Sequence, residues 1–214
     1  MSFVPPEKLC RLCTRLVDFR NDNIKKFPNY YNGAVEPFGD INAELLVVGL
    51  APGLNGANQT GRPFTNDYAG DILYPTLKKF GFAEGIYQKR KDDGFKLLNA
   101  RVTNAVRCVP PQNKVTGEET KTCGCFLVKE ISSMSNLKII LSLGAVSHNA
   151  VLGGLGYKKS AFKFRHNATH KLKNHNIILV DSYHTSRYNI NTGVLTSEMF
   201  ENVIRNICNL ISHS

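Results

Sequence analysis

Residues 45–50 read LLVVGL, a short unbroken apolar run with two β-branched valines. Such a run fits a strand buried on both faces, as in a parallel sheet flanked by helices. It breaks at Ala51-Pro52-Gly53, and glycines recur at Gly56, Gly61 and Gly70. A helical pattern then starts near Asn66 or Asp67 and runs through Leu77 to Gly81. A buried strand thus delivers a glycine-bearing loop to a helix N-terminus. In open α/β sheets ligands sit there, at the carboxyl end of the strand. The spacing matches neither GxGxxG nor GxxxxGK[ST]. The loop holds a carboxylate, Asp67, and an aromatic, Phe64. Asp67 or Asn66 also suits the ordinary task of capping the helix.

The rest of the chain repeats this alternation. A second strand is expected over residues 97–108, with β-branched Val102, Thr103 and Val106, ending at Val109-Pro110-Pro111. Thr116 and Glu119 have capping-box spacing, so a helix begins there and carries Cys123 and Cys125. Residues 137–144 (LKIILSLG) and 177–182 (IILVDS) read as the third and fourth buried strands, with a helix between them. A last amphipathic helix follows Thr196 and shows Met199, Val203, Ile207 and Leu210 on one face. Four strands alternating with helices predict an α/β fold with a parallel sheet covered on both faces. Residues 1–20, with apolar Leu9, Leu12, Leu16, Val17 and Phe19, read as a short helix, and residues 21–40 as loop. The polar stretch around Lys89-Arg90-Lys91 reads as a solvated turn. Residues 155–176 interleave aromatics with Lys, Arg and His, which suits either a charged edge strand or a hairpin facing nucleic acid.

Polar residues fall at the expected strand ends. Asn104 lies in the second strand and Asn113 in the loop after it, and an amide offers both donor and acceptor. His184 follows the fourth strand. A strand-end asparagine or histidine is commonly structural, but polar loops converging on one crevice favour a site.

At 214 residues, with 42% apolar and 21% charged residues, the chain suits one folded domain rather than disorder. No run of about 18 apolar residues occurs and the first residues lack the apolar core of a signal peptide, so an intracellular protein without a membrane span is expected. The formal charge of +10 favours an anionic partner, most simply nucleic acid. Of six cysteines, Cys10 and Cys13 form C-x-x-C near the start. Cys108 with either Cys123 or Cys125 could complete a four-thiolate site for zinc or an iron–sulfur cluster. On a helix Cys123 and Cys125 point about 200° apart, so only one can face the metal.

Residues 49–70 (GLAPGLNGANQTGRPFTNDYAG), CRLC at 10–13, VRCVPPQNK at 106–114 and YHTSRYNINTGVLT at 183–196 together resemble the motifs of uracil-DNA glycosylases, in particular the iron–sulfur type b (family five) branch. The resemblance covers nearly the whole chain. It implies a three-layer α/β/α sandwich around a four-stranded parallel sheet, spanning residues 1–214 as one domain with an N-terminal cluster-binding segment. It implies a [4Fe–4S] cluster on Cys10, Cys13, Cys108 and Cys123. It implies a monofunctional glycosylase, a monomer in the cytoplasm or nucleoid, excising uracil and also hypoxanthine or other deaminated bases from DNA. Asp67, His184 and Asn113 would be catalytic. Gly49, Ala51, Pro52, Gly53, Phe64, Asn104, Ser186 and Arg187 would bind substrate, with Tyr188 beside them at the DNA. Either Asn104 or Asn113 would read the base edge.

The chain departs from the family pattern in places. Ala51 stands where related enzymes often carry an acid or amide, which moves the acidic role to Asp67. Thr185 replaces the proline of a His-Pro-Ser motif. Asn55, Gln59 and Asn66 stand where His, Arg and Gly are expected. A DNA-binding module that keeps fold and cluster but has weakened catalysis is the alternative these departures leave open.

Overall fold

The computed structural model describes residues 3–213. In chain order the elements are α1 (Thr14–Lys26), β1 (Phe38–Gly39), β2 (Leu45–Gly49), α2 (Ala57–Thr60), α3 (Tyr68–Lys79), β3 (Ala83–Glu84), β4 (Lys96–Leu97), β5 (Ala100–Asn104), α4 (Gly117–Ser133), β6 (Ile139–Leu143), α5 (Ala145–Gly154), β7 (Thr169–Leu172), β8 (Ile177–Ser182), α6 (Arg187–Asn191) and α7 (Ser197–Ser212). The central sheet has the order β1-β5-β2-β6-β8-β7. Its inner four strands, β5, β2, β6 and β8, are parallel, with Val47 opposite Val102 on one side and Leu141 on the other. The expected parallel four are therefore present, but the sheet has six strands. Short antiparallel β1 and β7 close its edges against β5 and β8.

The strands are buried on both faces, and each face has its own core. Leu45, Val47, Val102, Leu141 and Val180 pack with α3 and α7, through residues such as Leu73, Leu77, Phe200 and Ile204. Leu46, Val48, Ile140 and Leu179 pack with α4 and α5, through Leu127, Ile131 and Val151. The period-two split of neighbouring residues between two cores gives the three layers. Truncating a side chain such as Leu46, which has no exposed surface, costs about 2–5 kcal/mol.

Three local expectations change. The second strand is shorter than the apolar pattern, because Asn99 turns the chain with positive φ before Ala100 and the chain leaves the ladder after Asn104. Helix α1 runs from Thr14 to Lys26, so Leu9 and Leu12 stand exposed before it rather than on its apolar face, and residues 21–26 are helix rather than loop. The stretch after β3 is not simply a solvated turn. Its Asp93 side chain is fully buried against Arg62. The capping box of α4 is present: Glu119 N–H donates to Thr116 Oγ1 at 3.1 Å and Thr116 N–H to Glu119 Oε2 at 2.8 Å. Arg15 clamps the same Glu119 through two bonds of 2.7 and 2.8 Å, which ties α1 to α4.

Candidate functional site

The carboxyl ends of β2, β5, β6 and β8 bring several of the sequence-marked residues into one crevice. Asp67 is the N-cap of α3: Gly70 N–H donates to its Oδ1 at 2.9 Å. Its Oδ2 faces the loop after β2, where a Cβ on Gly56 would lie 2.8 Å away. One oxygen thus caps α3 while the other faces Gly53 and Gly56 of that loop. Burial pushes the Asp67 carboxyl up, against the opposing amides of Gly70 and Ala69.

Phe64 is buried in a left-handed conformation (φ 51°) that few non-glycine residues adopt. Its ring lies beside His184 with centroids 6.2 Å apart and planes 27° from parallel. A Cβ on Gly49 would collide with this ring and lie 2.5 Å from Asn104 Oδ1. Glycine at the end of β2 thus lets ring and amide stand side by side. His184 follows β8 and packs by Gly144 at the end of β6. Burial pushes its imidazole down to about 4, so the ring is neutral at physiological pH.

The unusual backbone of this loop is held by residues that sequence reasoning missed. Tyr87 Oη donates to the Phe64 carbonyl at 3.0 Å and accepts from Asn66 N–H at 3.3 Å. Tyr74 Oη donates to the Pro63 carbonyl at 2.5 Å. Arg62 makes two bonds of 2.8 Å to Asp93 and sits against the rings of Phe38, Tyr74 and Tyr87. Burial alone would raise Asp93, but Arg62 and the amides of Gln88 and Phe95 hold its carboxyl well below the ordinary range. No local motif marks Tyr87 or Asp93, because their partners are far away in sequence.

The departures from the family pattern also have places. Asn66 Nδ2 donates to the Asn55 carbonyl and to Gln59 Oε1, both at 2.9 Å, so these residues lace the loop together. Thr185 is fully buried and its Oγ1 has no hydrogen-bond partner. Ser186 caps α6, accepting from Asn189 N–H at 3.4 Å, and Asn189 Nδ2 in turn donates to the His184 carbonyl at 2.8 Å. Arg187 lies over the Tyr68 ring and Tyr188 is 74% exposed. Asn113 lies exposed in the turn Pro111–Asn113. Among the described residues no hydrogen bond or ring contact joins it to Phe64, Asp67, Asn104 or His184, whereas Asn104 is buried beside Phe64.

Cys10, Cys13, Cys108 and Cys123 line one pocket between the N-terminal segment, the exit of β5 and α4. Cys123 is buried among them, whereas Cys125 is exposed and lies outside this pocket. The surroundings fit an anionic group. Arg107 N–H donates to Cys123 Sγ at 3.4 Å and Arg20 Nη1 approaches Cys108 Sγ at 3.9 Å. Nε of Arg20 and both Nε and Nη1 of Arg107 are buried without partners. Burial and mutual proximity push the thiols up, Cys108 to about 12 and Cys123 to about 11, so binding a cation there must displace their protons. Tetrahedral zinc would need sulfurs about 3.8 Å apart, from Zn–S bonds of about 2.3 Å. Among the described residues the only three metal-ligating groups with donor atoms all within 4.8 Å of one another are His148, His170 and Asp181, so the cysteine sulfurs are spread more widely. A second cleft, between α4 and α5, is lined by Lys121, Lys129, Lys159 and the exposed Cys125, and by none of the residues marked for catalysis or substrate binding.

Comparison with known proteins is consistent with this arrangement. The family model described as "Uracil DNA glycosylase superfamily" matches residues 36–208. The chain is 40% identical over 208 residues to a type-5 uracil-DNA glycosylase of Thermus thermophilus, covering 95% of this chain and 94% of that one. It is 36% identical over 202 residues to the type-5 enzyme of Pyrobaculum aerophilum, covering 92% and 86%. A type-4 enzyme of the same archaeon is 31% identical over 137 residues, covering 63% and 62%.

Proposed function

The chain belongs to the uracil DNA glycosylase superfamily, and we propose how its own residues divide the work of excision. It is an enzyme that hydrolyses the N-glycosyl bond of uracil in DNA, the opening step of base excision repair. The target nucleotide leaves the stack and enters the crevice. Phe64 stacks on the base, an interaction of roughly 1–3 kcal/mol. The Asn104 amide pairs with the base edge, its oxygen accepting from N3–H and its nitrogen donating to O4. Hypoxanthine repeats that donor–acceptor pair with N1–H and O6, which supports it as a second substrate.

Bond cleavage builds positive charge on the sugar and negative charge on the departing base, as in other glycoside cleavages. The Asp67 carboxylate opposes the sugar's charge and orients the attacking water. His184, neutral because it is buried, donates one N–H to the carbonyl oxygen where the negative charge collects. Gly49, Ala51, Pro52 and Gly53 form the floor by which the base passes. Ser186, Arg187 and Tyr188 meet the DNA, with exposed Tyr188 suited to the space the base leaves. Asn113, on an exposed turn, approaches the DNA from the other lip. None of these motifs supplies a lysine nucleophile, so the reaction stops at the abasic site.

Cys10, Cys13, Cys108 and Cys123 would hold a [4Fe–4S] cluster, which when bound supplies four iron–thiolate bonds. Through them the N-terminal segment is tethered to the rest of residues 1–214, read here as one glycosylase domain. Arg20 and Arg107 offset the cluster's charge.

The observation that carries these roles is the convergence of Phe64, Asn104, Asp67 and His184 at adjacent strand ends. The test is a labelled duplex with one uracil opposite guanine, treated with alkali after incubation. A single cut at the uracil, lost in Asp67→Asn while DNA binding persists, supports the assignment. DNA binding without any cut would make the protein a binding module instead.

A further inference from the structure

Away from the crevice, three metal-ligating side chains meet on the α4–α5 side of the sheet. Asp181 of β8 is fully buried. It lies two residues after Leu179, on the same face. His148 of α5 brings Nδ1 to 2.7 Å from Asp181 Oδ1, and His170 of β7 brings Nε2 to 2.9 Å from Oδ2. Ser142 Oγ donates to Oδ1 at 2.7 Å. The other nitrogen of His148, Nε2, lies 2.9 Å from the Phe162 carbonyl oxygen.

That last contact constrains the first. A carbonyl oxygen only accepts, so Nε2 carries a hydrogen. A neutral imidazole has just one N–H. Its Nδ1 lone pair then points at a carboxylate oxygen that is also an acceptor. Two lone pairs at 2.7 Å require an electropositive atom between them, either a second proton or a cation. Against its burial, the Asp181 carboxylate and the Phe162 carbonyl raise the His148 imidazole, so a proton can fill this place when no metal is bound; the outer contacts suit a cation as well. A backbone carbonyl on the far nitrogen and a hydroxyl on the carboxylate are the partners that orient metal-ligating histidines and acids. The donor atoms of His148, His170 and Asp181 all lie within 4.8 Å of one another.

We propose that His148 Nδ1, His170 Nε2 and the Asp181 carboxylate form a binding site for one divalent cation of the zinc class. Two imidazoles and one carboxylate suit zinc, cobalt or nickel, whereas magnesium and calcium prefer all-oxygen sites. With metal–ligand bonds of about 2.0–2.2 Å, the 2.7 Å pair must open to about 3.4 Å, which is a side-chain adjustment. Phe164 and Phe162 pack edge-on against His148 and His170, with centroids 5.7 and 5.8 Å apart. The His170 side chain keeps 14% of its surface exposed, which gives the ion a way in. The ion would staple β7, and the basic segment before it, to β8 just ahead of His184. Its role is to hold that edge; it does not act on the glycosyl bond.

The test uses cluster-loaded enzyme, so that the four thiols are already occupied. It is equilibrated with zinc or with magnesium; one portion is melted with the metal present, and another is desalted and assayed for retained metal. The expected result is one retained zinc per chain beyond the iron, and a rise in Tm of about 5–10 °C at zinc a hundredfold above Kd. Magnesium should do neither. His170→Gln keeps a donor to Asp181 but is a poor ligand, and should lose both effects while retaining its cluster colour. Zinc that is not retained by the wild type overturns the proposal, leaving a network held by protons. Equal retention and shift in a folded His170→Gln also overturns it, as adventitious binding elsewhere. If that variant does not fold, the wild-type comparison of zinc with magnesium decides.

Discussion

Replacing Asp67 with asparagine separates the two tasks of this residue. As an N-cap, Asp67 accepts from Gly70 N–H at 2.9 Å. Asparagine caps about as well as aspartate, whereas alanine costs about 1 kcal/mol. The charge itself acts the other way. Burial raises the carboxyl above its ordinary value, so the folded state holds a proton over a pH range in which the unfolded chain has already released it. Stability from this group is therefore present at low pH and lost as pH rises through the folded value. Above that folded value the wild type bears the cost of the buried charge, and Asp67→Asn removes it. The variant should melt at or above the wild-type temperature at pH 7, with the difference closing below pH 4. Asp67→Ala also removes the charge but loses the cap, and should melt about 2–4 °C below Asp67→Asn for each kcal/mol of cap lost. Catalysis should respond in the opposite sense. Losing one preorganised electrostatic partner of the transition state costs about 10²–10³ in kcat. Single-turnover excision of uracil, with melts of all three proteins at pH 7 and pH 4, measures both effects. An Asp67→Asn enzyme within tenfold of wild type would remove the carboxylate from the mechanism. A variant melting well below wild type at pH 7 would refute the argument about the buried charge.

The other residues of the crevice make separate predictions. Gly49→Ala puts a methyl against the Phe64 ring and 2.5 Å from Asn104 Oδ1; excision should fall about a hundredfold, with an overpacking loss of about 1–3 kcal/mol in urea unfolding. Burial holds His184 at about 4, against about 6.5 when unfolded, so the stability its neutral ring gives above pH 6.5 is lost as pH falls toward 4, about 3 kcal/mol in all. His184→Gln should flatten that part of the stability–pH curve and lower kcat, while the acid limb of wild-type activity tracks Asp67. Tyr87→Phe removes the bonds to the Phe64 carbonyl and Asn66 N–H; kcat should fall about ten- to a hundredfold, with Kd for an abasic duplex little changed. Cys108→Ser should yield colourless or iron-poor protein with a lower Tm, read by absorbance and iron assay.

How far such a chain can be read from sequence depends on where its constraints lie. The β2 run, the Asp67 cap and the Thr116–Glu119 box involve neighbours within a few residues, and each is found as expected. The β1 edge escaped because two residues carry no alternation, whereas β7, where exposed Thr169 and Lys171 alternate with partly buried His170, lies in the stretch read as a charged edge strand or hairpin and pairs antiparallel with β8. Leu9 and Leu12 misled for the opposite reason, since apolar spacing continues past the point where Thr14 begins the helix. In the crevice, Phe64, Asp67 and His184 sit in recognisable motifs, but what fixes them does not. Arg62 reaches Asp93 across 31 residues and Tyr87 reaches Phe64 across 23. The same holds more strongly for His148, His170 and Asp181. Each alone is an unremarkable polar residue on a helix or strand, and they meet only because β8 runs between β6 and β7. Chemistry written in one loop can be read before the fold is known. Chemistry assembled across the sheet becomes visible only when the strand order brings its parts together.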